Sequence, residues 1–139
     1  MKKKRKIAPD WRRASSLYEV VASAQTVEDI GLNLAEFLDH VSLLARKPQN
    51  CRALLAGLRT EPPRTGDAVQ DAYLAAVAAH LARKHGLPFP RWTEKKSRRL
   101  DRPWFALPYD WARAELLRDS PPAFRERNIF TTEDAIHRV

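Results

Sequence analysis

Hydrophobic positions recur at helical spacing through most of this chain. Between residues 14 and 24 they predict a moderate helix. The stretch TVED at 26–29 then places an acid three residues after a threonine, which resembles the capping box that begins a helix. A single apolar stripe follows and predicts an amphipathic helix, which Gly31 and Asn33 weaken at its start and Pro48 closes. The stripe consists of Leu34, Phe37, Leu38, Val41 and Leu44.

Two further helices are predicted in the middle of the chain. A short one covers 50–58 and ends near Gly57, and a proline-containing turn separates it from the next helix, which Asp67 caps. The run 68–85 is the strongest helix of the sequence. Apolar side chains trace one of its faces, alanines fill the rest, and Gly86 stands where a C-terminal cap belongs. Its small alanine surface predicts the close approach of a neighbouring helix.

The composition changes after this helix. Residues 87–109 hold four prolines and two tryptophans and include a basic cluster. Proline at this density interrupts regular structure, so the segment is predicted to be an irregular wrap across the helical body. The aromatic side chains predicted to pin it are Phe89, Trp92, Trp104 and Phe105.

The sequence after the wrap predicts short helices. Asp110 is expected to cap one over 111–119, and Ser120 to cap another that has two prolines in its first turn. Proline is favoured there because the N–H that it lacks has no partner at that position. Asn128 is predicted to end this helix, and Ile129 and Phe130 to be extended. A last helix is predicted to start at Thr131 or Thr132, with Asp134 close by.

No alternating strand pattern of useful length, hairpin signal or internal repeat accompanies these helices. The predicted fold class is therefore all-α. We expect one helical domain of about five to seven helices at 11–139, preceded by a basic N-terminal arm at 1–10, with the wrap at 87–109 on its surface.

Charge sharpens this picture, because the net charge of +8 is concentrated in two places. Residues 1–13 hold seven Lys and Arg against one acid, and residues 91–102 hold six against two. The rest of the chain carries 12 basic and 14 acidic residues and is nearly neutral. Charge concentrated in this way creates a local field that suits an anionic partner.

The sequence contains no set of residues typical of a catalytic, cofactor or metal site. His80 and His85 lie about 140° apart around one helix and do not face a common point, so His80 is expected to be a partly buried polar residue and the others solvated. Four scattered glycines exclude a phosphate-cradling loop, and no serine stands in a nucleophile elbow. We expect no enzyme, no cofactor and no metal.

The expected cellular compartment is inferred from membrane-spanning, secretory and cysteine signals in the sequence. No apolar run approaches the ~20 residues that span a bilayer. The basic N-terminus is not followed by the apolar stretch of a secretory signal. Cys51 is the only cysteine and fits a reducing cytosol, where we expect it to be a small core residue. The expected location is the cytoplasm, with no membrane contact.

The charged clusters supply the first set of candidate binding residues. Aromatic side chains within a basic segment can stack on bases, and arginine can bind phosphate in a bidentate manner. The set, for nucleic acid or an acidic protein partner, is Lys2, Lys3, Lys4, Arg5, Lys6, Arg91, Lys95, Lys96, Arg98 and Arg99. The competing interpretation is that the tryptophans of this segment pack beneath it and its charges face water.

A second set is predicted to contact a protein partner. It combines aromatic rings with the arginines of PPAFRERNIF at 121–130, which would form the rim of a binding edge. The set is Trp92, Trp104, Arg125, Arg127 and Phe130. The competing interpretation is that Phe124, Ile129 and Phe130 simply cover the open end of the helical body. Trp104 and Phe124 are expected to be mostly buried.

Four stretches of the sequence also resemble a known family: LNLAEFLDHV, DAYLAAVAAHLARKHGLPFPRWT, LDRPWF and SPPAFRERNIFTTEDAIHRV. Together they look like small, mostly uncharacterised helical proteins of high-GC bacteria, actinobacteria especially, over residues 17–139. Similar end blocks follow helix-turn-helix regulator domains, and such genes often lie beside nucleotidyltransferase-like toxins. The chain departs from this family in its lysine-rich first six residues and has no clear helix-turn-helix.

That resemblance implies an antitoxin or accessory regulator and no catalytic residues. The first functional hypothesis is therefore a non-enzymatic, antitoxin-like or regulatory protein that docks on another, toxin-like protein. The alternative is a nucleic-acid-binding protein that uses the basic arm and the tryptophan-flanked basic loop at 91–104.

Overall fold

The computed structural model describes residues 14–132, and within them the fold is all-α, as predicted. Six α-helices are joined by turns and short 3-10 segments. The helices are α1 Leu17–Ala22, α2 Val27–Leu44, α3 Cys51–Arg59, α4 Ala68–Lys84, α5 Arg113–Asp119 and α6 Pro122–Arg125. The predicted arm at 1–10 and the last helix predicted around Asp134 lie outside the described residues.

The predicted capping box begins α2. Thr26 Oγ1 accepts a hydrogen bond from the Asp29 amide, and Asp29 Oδ2 accepts one from the Thr26 amide, both at 3.2 Å. Asn33 was expected to weaken the helix, yet it joins α2 to α1, because its Nδ2 donates to the Val20 carbonyl oxygen at 3.0 Å. The helix accordingly runs unbroken through Gly31.

The third helix packs closely at Gly57. A Cβ atom there would lie 2.9 Å from the Ser15 carbonyl oxygen and 3.3 Å from the Phe37 ring, so only glycine permits this approach. The helix predicted over 50–58 is confirmed, since α3 spans Cys51–Arg59 and ends two residues after Gly57. Cys51 was expected in the core and is instead exposed at the first position of α3.

The centre of the fold is α4, in which ten of 17 residues are buried. It contacts α3 on one side and α6 and the wrap on others. Asp67 caps it as predicted, because its Oδ1 accepts hydrogen bonds from the amides of Val69 and Gln70. Gly86 closes it as predicted, with φ of +67° and with the Leu87 amide donating to the Ala82 carbonyl oxygen at 2.8 Å.

The wrap at 87–109 is irregular, as predicted, and is pinned mainly by tryptophan. Trp92 is buried, and its Nε1 donates to the Leu58 carbonyl oxygen at 2.9 Å. Trp104 is partly buried against the main core. Phe89 was predicted to pin the wrap and is instead 49% exposed. Two 3-10 turns shape the segment, Arg91–Glu94 and Lys96–Arg98.

A two-residue parallel ladder holds the far end of the wrap. Strand β1, Trp104–Phe105, pairs with β2, Ile129–Phe130, and Trp104 stands opposite Ile129. The pairing starts where Asn128 turns the chain with φ of +65°, and the Trp104 amide donates to the Asn128 carbonyl oxygen at 2.8 Å. Asn128 thus ends the preceding turn, as predicted, and the extended pair that follows it is confirmed.

Two predicted caps are wrong. Asp110 lies inside the 3-10 turn Asp110–Ala112 and makes no capping hydrogen bond. Ser120 follows α5 and does not cap α6, where Pro121 occupies the N-cap position. The Ser120 hydroxyl instead accepts a hydrogen bond from the Thr131 amide at 2.9 Å. It therefore joins the segment after β2 to the end of α5.

Buried side chains form two clusters within the described residues. The larger one surrounds α4 and includes Phe124, which is completely buried and meets Tyr73 edge to face with 5.2 Å between ring centroids. The smaller one consists of Ala112, Leu116 and Phe130, with Phe105 packed against it. This second cluster supports the region where the wrap enters α5.

Candidate functional site

Residues 91–102 form the basic segment, and one of them, Arg98, is completely buried. Its Nη1 donates to the Asp71 carbonyl oxygen at 3.1 Å, and its Nη2 donates to the Pro62 carbonyl oxygen at 2.8 Å. Nε and Nη2 also bind Glu61 Oε2 at 3.1 and 3.0 Å. The guanidinium lies 5.0 Å from the centre of the Trp92 ring. Arg98 therefore fastens the segment to the helical body.

The two carboxylates around Arg98 are held in their charged form. Burial alone would raise the pKa of Asp71, but hydrogen bonds from Thr65 and Arg64 and the charge of Arg98 outweigh it, so this pKa lies below its ordinary value. Burial also opposes ionisation of Glu61, yet hydrogen bonds and charge from Lys95 and Arg98 lower its pKa. The cluster is thus a satisfied internal ion network.

Arg127 is the second buried arginine, with 1% of its surface exposed. Its Nη2 donates to the Thr93 carbonyl oxygen at 2.9 Å and its Nη1 to the Ala123 carbonyl oxygen at 2.7 Å. Burial lowers the pKa of Arg127, while the nearby charges of Glu94 and Glu126 raise it. Arginine stays charged at neutral pH under such shifts, so it clamps α6 to the basic segment.

Four residues predicted to contact partners are therefore internal. They are Trp92, Arg98, Arg127 and Phe130, each at most 7% exposed. Each of them makes contacts within the protein. The two arginines donate hydrogen bonds to backbone carbonyls, Trp92 packs in the larger cluster, and Phe130 lies in the smaller one. Their assignment to nucleic-acid or partner binding is wrong, because a buried side chain cannot reach another molecule while the fold is intact.

The other predicted residues within 14–132 lie at or near the surface. Arg91, Lys95, Lys96 and Arg99 are exposed on the basic segment. Lys95 pairs with Glu61 at 2.7 Å and Arg99 with Glu94 at 3.3 Å, so two of the four charges are already partly neutralised. Arg125 is exposed on α6, Trp104 is partly buried, and Lys2, Lys3, Lys4, Arg5 and Lys6 lie outside the described residues.

The most exposed aromatic surface of the described residues was not predicted. Tyr109 is 53% exposed and Trp111 is 71% exposed. Their rings stack with 5.5 Å between centroids and an angle of 6° between planes. We call these two residues the aromatic pair. The hint in the sequence is that both rings sit in a proline-containing approach to a helix, outside any apolar stripe.

The turn that carries the aromatic pair adjoins a second pair of stacked rings. Phe105 stacks on Phe130 with 5.1 Å between centroids, and the Arg113 guanidinium lies 5.0 Å from the Phe105 ring. Arg113 also faces Asp110, with Nε 3.8 Å from Oδ1. The turn that carries the aromatic pair is therefore anchored through Ala112 and Arg113 to the Phe105–Phe130 stack.

Residues 14–132 contain neither a cluster of metal-binding side chains nor a membrane-spanning helix. Among residues 14–132, no three His, Cys, Asp or Glu side chains come together in a way that could hold a metal ion. His80 is partly buried, as predicted, and its ring lies 6.1 Å from that of Phe124. His40 and His85 are also partly buried, where solvated side chains were expected. None of the described helices is long and apolar enough to cross a membrane.

Comparison of the chain with protein-family models, with curated proteins and with solved structures finds no match. Functional inference therefore depends on the surfaces of the molecule itself. Within residues 14–132, the aromatic pair and the exposed cations of the basic segment are both open to a partner.

Proposed function

We propose that this protein is a non-enzymatic binding protein that docks on another protein through the aromatic pair. The observation that carries the proposal is the exposure of Trp111, 71% of which is open to solvent while its ring is stacked on Tyr109. Large aromatic side chains concentrate the binding energy of protein interfaces. A tryptophan left this open on a small domain has an apolar surface that a partner can cover.

Preorganisation supports the same conclusion. Parallel stacking restricts both rings, and the packing of Ala112 in the cluster of Phe105 and Phe130 limits how far the backbone of the turn moves. A side chain that is already ordered loses less entropy when it binds, so more of its burial energy appears as affinity. Leu107 and Leu117, 41% and 47% exposed, are further apolar side chains on either side of the pair along the chain.

The family resemblance suggests the kind of partner. Genes of similar proteins often lie beside nucleotidyltransferase-like toxins, so the proposed partner is the toxin-like product of the adjacent gene. In this role the chain acts as an antitoxin or accessory regulator, and it neutralises or positions its partner by contact alone.

The test is co-expression of the full chain with the adjacent gene product, followed by copurification and calorimetry. We expect a stable complex, rescue of growth if the partner is toxic, and a Kd raised at least about 30-fold by Trp111→Ala, the loss expected for a central aromatic contact. The matched control is Tyr18→Ala, which truncates another aromatic ring, 44% exposed on α1. Failure to form a complex, or equal effects of the two variants, would overturn the proposal.

Nucleic-acid binding is the second candidate, and one observation favours it. Arg91 and Lys96 are exposed on the basic segment and have no carboxylate partner among the described residues. Affinity for duplex DNA or RNA should then fall steeply with salt, and deletion of residues 1–7 should abolish it. The double variant Arg91→Ala/Lys96→Ala should make the salt dependence shallower. Absence of binding at low salt rejects this candidate.

A further inference from the structure

The outward side of α2 combines acidic and apolar side chains. Glu28, Leu32, Glu36 and Leu43 fall within about 80° around the helix axis, on the side opposite the buried Val41. We call these four residues the outer face. Leu32 is 68% exposed and Leu43 is 45% exposed. Two leucines on the solvent side of a long helix leave apolar surface that another molecule can cover.

The charge around the outer face is negative throughout. Residues 14–45, which include α1 and α2, contain five acids and neither lysine nor arginine. Glu19 and Asp29 accept hydrogen bonds from backbone amides at the helix starts. Glu28 and Glu36 are exposed, and neither has a basic partner among residues 14–132. An acid in the first turn, such as Glu28, also favours the helix dipole, but Glu36 in the middle of α2 has no such local role.

The basic segment carries the opposite charge with an exposed ring beside it. Arg91 and Lys96 are exposed, and within the described part of the chain neither has a carboxylate partner. Phe89 precedes Arg91 by two residues, across the buried Pro90, and is 49% exposed. The two surfaces therefore share one composition with the signs reversed: two unpaired like charges and exposed apolar side chains.

The spacing of these charges is also similar on the two surfaces. Glu28 and Glu36 are separated by eight positions of one helix, which places their Cα atoms about 12 Å apart. Arg91 and Lys96 are separated by one 3-10 turn and an extended residue, which keeps their Cα atoms within about 13 Å of each other. Two charge pairs can therefore form side by side when the surfaces meet.

The outer face and the basic segment belong to different parts of the fold. The helix α2 packs on α1 and α3, whereas both 3-10 turns of the basic segment pack on α4. None of the ion pairs within residues 14–132 joins the two surfaces. Complementary surfaces that stay unpaired within one molecule can pair between two copies, and a contact between two different patches is heterologous.

We propose that the outer face binds the basic segment of a second copy of this chain, so that copies associate head to tail. The two glutamates face Arg91 and Lys96 of the next copy, and the two leucines cover its Phe89. Contacts that depend on exposed charge pairs weaken as salt screens them. The contact covers the same cations that nucleic acid would use, so the two kinds of binding compete. It does not involve the aromatic pair, so it is independent of the proposed docking on another protein.

Sedimentation velocity of the nuclease-treated full chain, over a range of concentrations, tests the proposal. We expect the average mass to rise with concentration and to rise less at about 0.5 M than at about 0.05 M salt. Glu28→Lys/Glu36→Lys and Arg91→Ala/Lys96→Ala should each remain monomeric under the same conditions. Circular dichroism checks that both are folded, and Glu36→Lys alone replaces the first variant if that one unfolds.

Mixing the two variants tests the heterologous geometry. Each keeps the surface that the other lacks, so an equimolar mixture should form a heterodimer that grows no further. Lys3→Ala/Lys4→Ala is the matched control, because it removes two positive charges outside the described residues, and it should associate like the wild type. The apolar part has its own pair of variants. Leu32→Ala should raise the Kd of self-association about tenfold, and Leu117→Ala, an exposed leucine of α5, should not.

Association that both charge variants abolish and that their mixture restores as a heterodimer supports the proposal. Four results overturn it: a monomer at every concentration in low salt, association that strengthens with salt, loss of association in the lysine control, or a mixture that stays monomeric. Trp111→Ala should leave the association unchanged, so failure here and failure of the proposed protein docking are distinguishable.

Discussion

Arg98 and Asp71 form an ion pair that joins two segments far apart in the sequence. Arg98 Nη1 lies 3.7 Å from Asp71 Oδ1 and donates to the carbonyl oxygen of the same residue at 3.1 Å. Both side chains are almost fully buried, Arg98 at 0% and Asp71 at 2% exposed. The pair fixes the basic segment against the first turn of α4, and with it the position of every exposed cation on that segment.

Breaking this pair should strongly destabilise the fold. Arg98→Ala removes four hydrogen bonds and leaves two carboxylates without their shared counter-charge, so we expect a loss of about 3–5 kcal/mol in the free energy of unfolding. Arg99→Ala is the matched control, since Arg99 pairs with Glu94 at 3.3 Å on the surface and should contribute less than about 1 kcal/mol. Urea denaturation measures both. Similar losses for the two variants would contradict the buried role of Arg98.

The same network makes stability depend on pH at the acid end. The pKa values of Asp71 and Glu61 lie below their ordinary values in the folded state, so the unfolded chain binds protons more readily. Stability is therefore fully present above the unfolded pKa values, 4.5 for Glu61 and 3.8 for Asp71, and is lost as pH falls below them through the lower folded values. Asp71→Asn should flatten this dependence, as measured by urea midpoints across that range. Asp101→Asn, which removes an exposed carboxylate of the basic segment, should not.

The core makes a separate prediction at Phe124. This ring is completely buried and meets Tyr73 edge to face, so Phe124→Ala should cost about 3–5 kcal/mol through lost burial and the cavity it leaves. Trp104→Ala should cost less, because Trp104 is only partly buried. Phe89→Ala is the control, since its ring is 49% exposed. Thermal unfolding ranks the three, and a loss at Phe89 as large as that at Phe124 would contradict the described core.

The helices were predictable because their signals are local. The capping box at Thr26, the cap at Asp67 and the closing glycine at Gly86 each depend on neighbours within a few residues, and each is confirmed. The wrap was recognisable from proline density alone. The wrong caps at Asp110 and Ser120 show the limit of such signals, because tertiary hydrogen bonds recruited the Ser120 hydroxyl elsewhere.

The candidate site was harder to predict because burial depends on contacts between distant residues. Nothing near Arg98 in the sequence indicates that it binds Glu61 and Asp71, which lie 37 and 27 positions earlier in the chain. One signal was present: Asp71 is an acid that lies among the alanines of α4, and a buried acid needs a partner. The exposure of Trp111 carries no comparable signal, since tryptophan is usually well buried.

Asn128 offers a test of how backbone strain and one side chain together fix the ladder. With φ of +65°, Asn128 adopts a conformation that only glycine takes without cost, and its Nδ2 donates to the Leu100 carbonyl oxygen at 2.7 Å. Asn128→Gly keeps the backbone but loses the hydrogen bond, for a loss of about 1 kcal/mol. Asn128→Ala loses the bond and adds strain, so we expect a loss of about 2 kcal/mol.

The order of these two variants tells the causes apart. Stability measured by urea denaturation should fall from wild type to Asn128→Gly to Asn128→Ala. The Trp104 amide, which donates to the Asn128 carbonyl oxygen, should exchange its hydrogen faster in the same order. If alanine proved as stable as glycine, the left-handed turn would not be what sets the register of β1 on β2. Because that register also holds Phe105 against the cluster that contains Ala112, Asn128→Ala should loosen the turn that carries Trp111 as well.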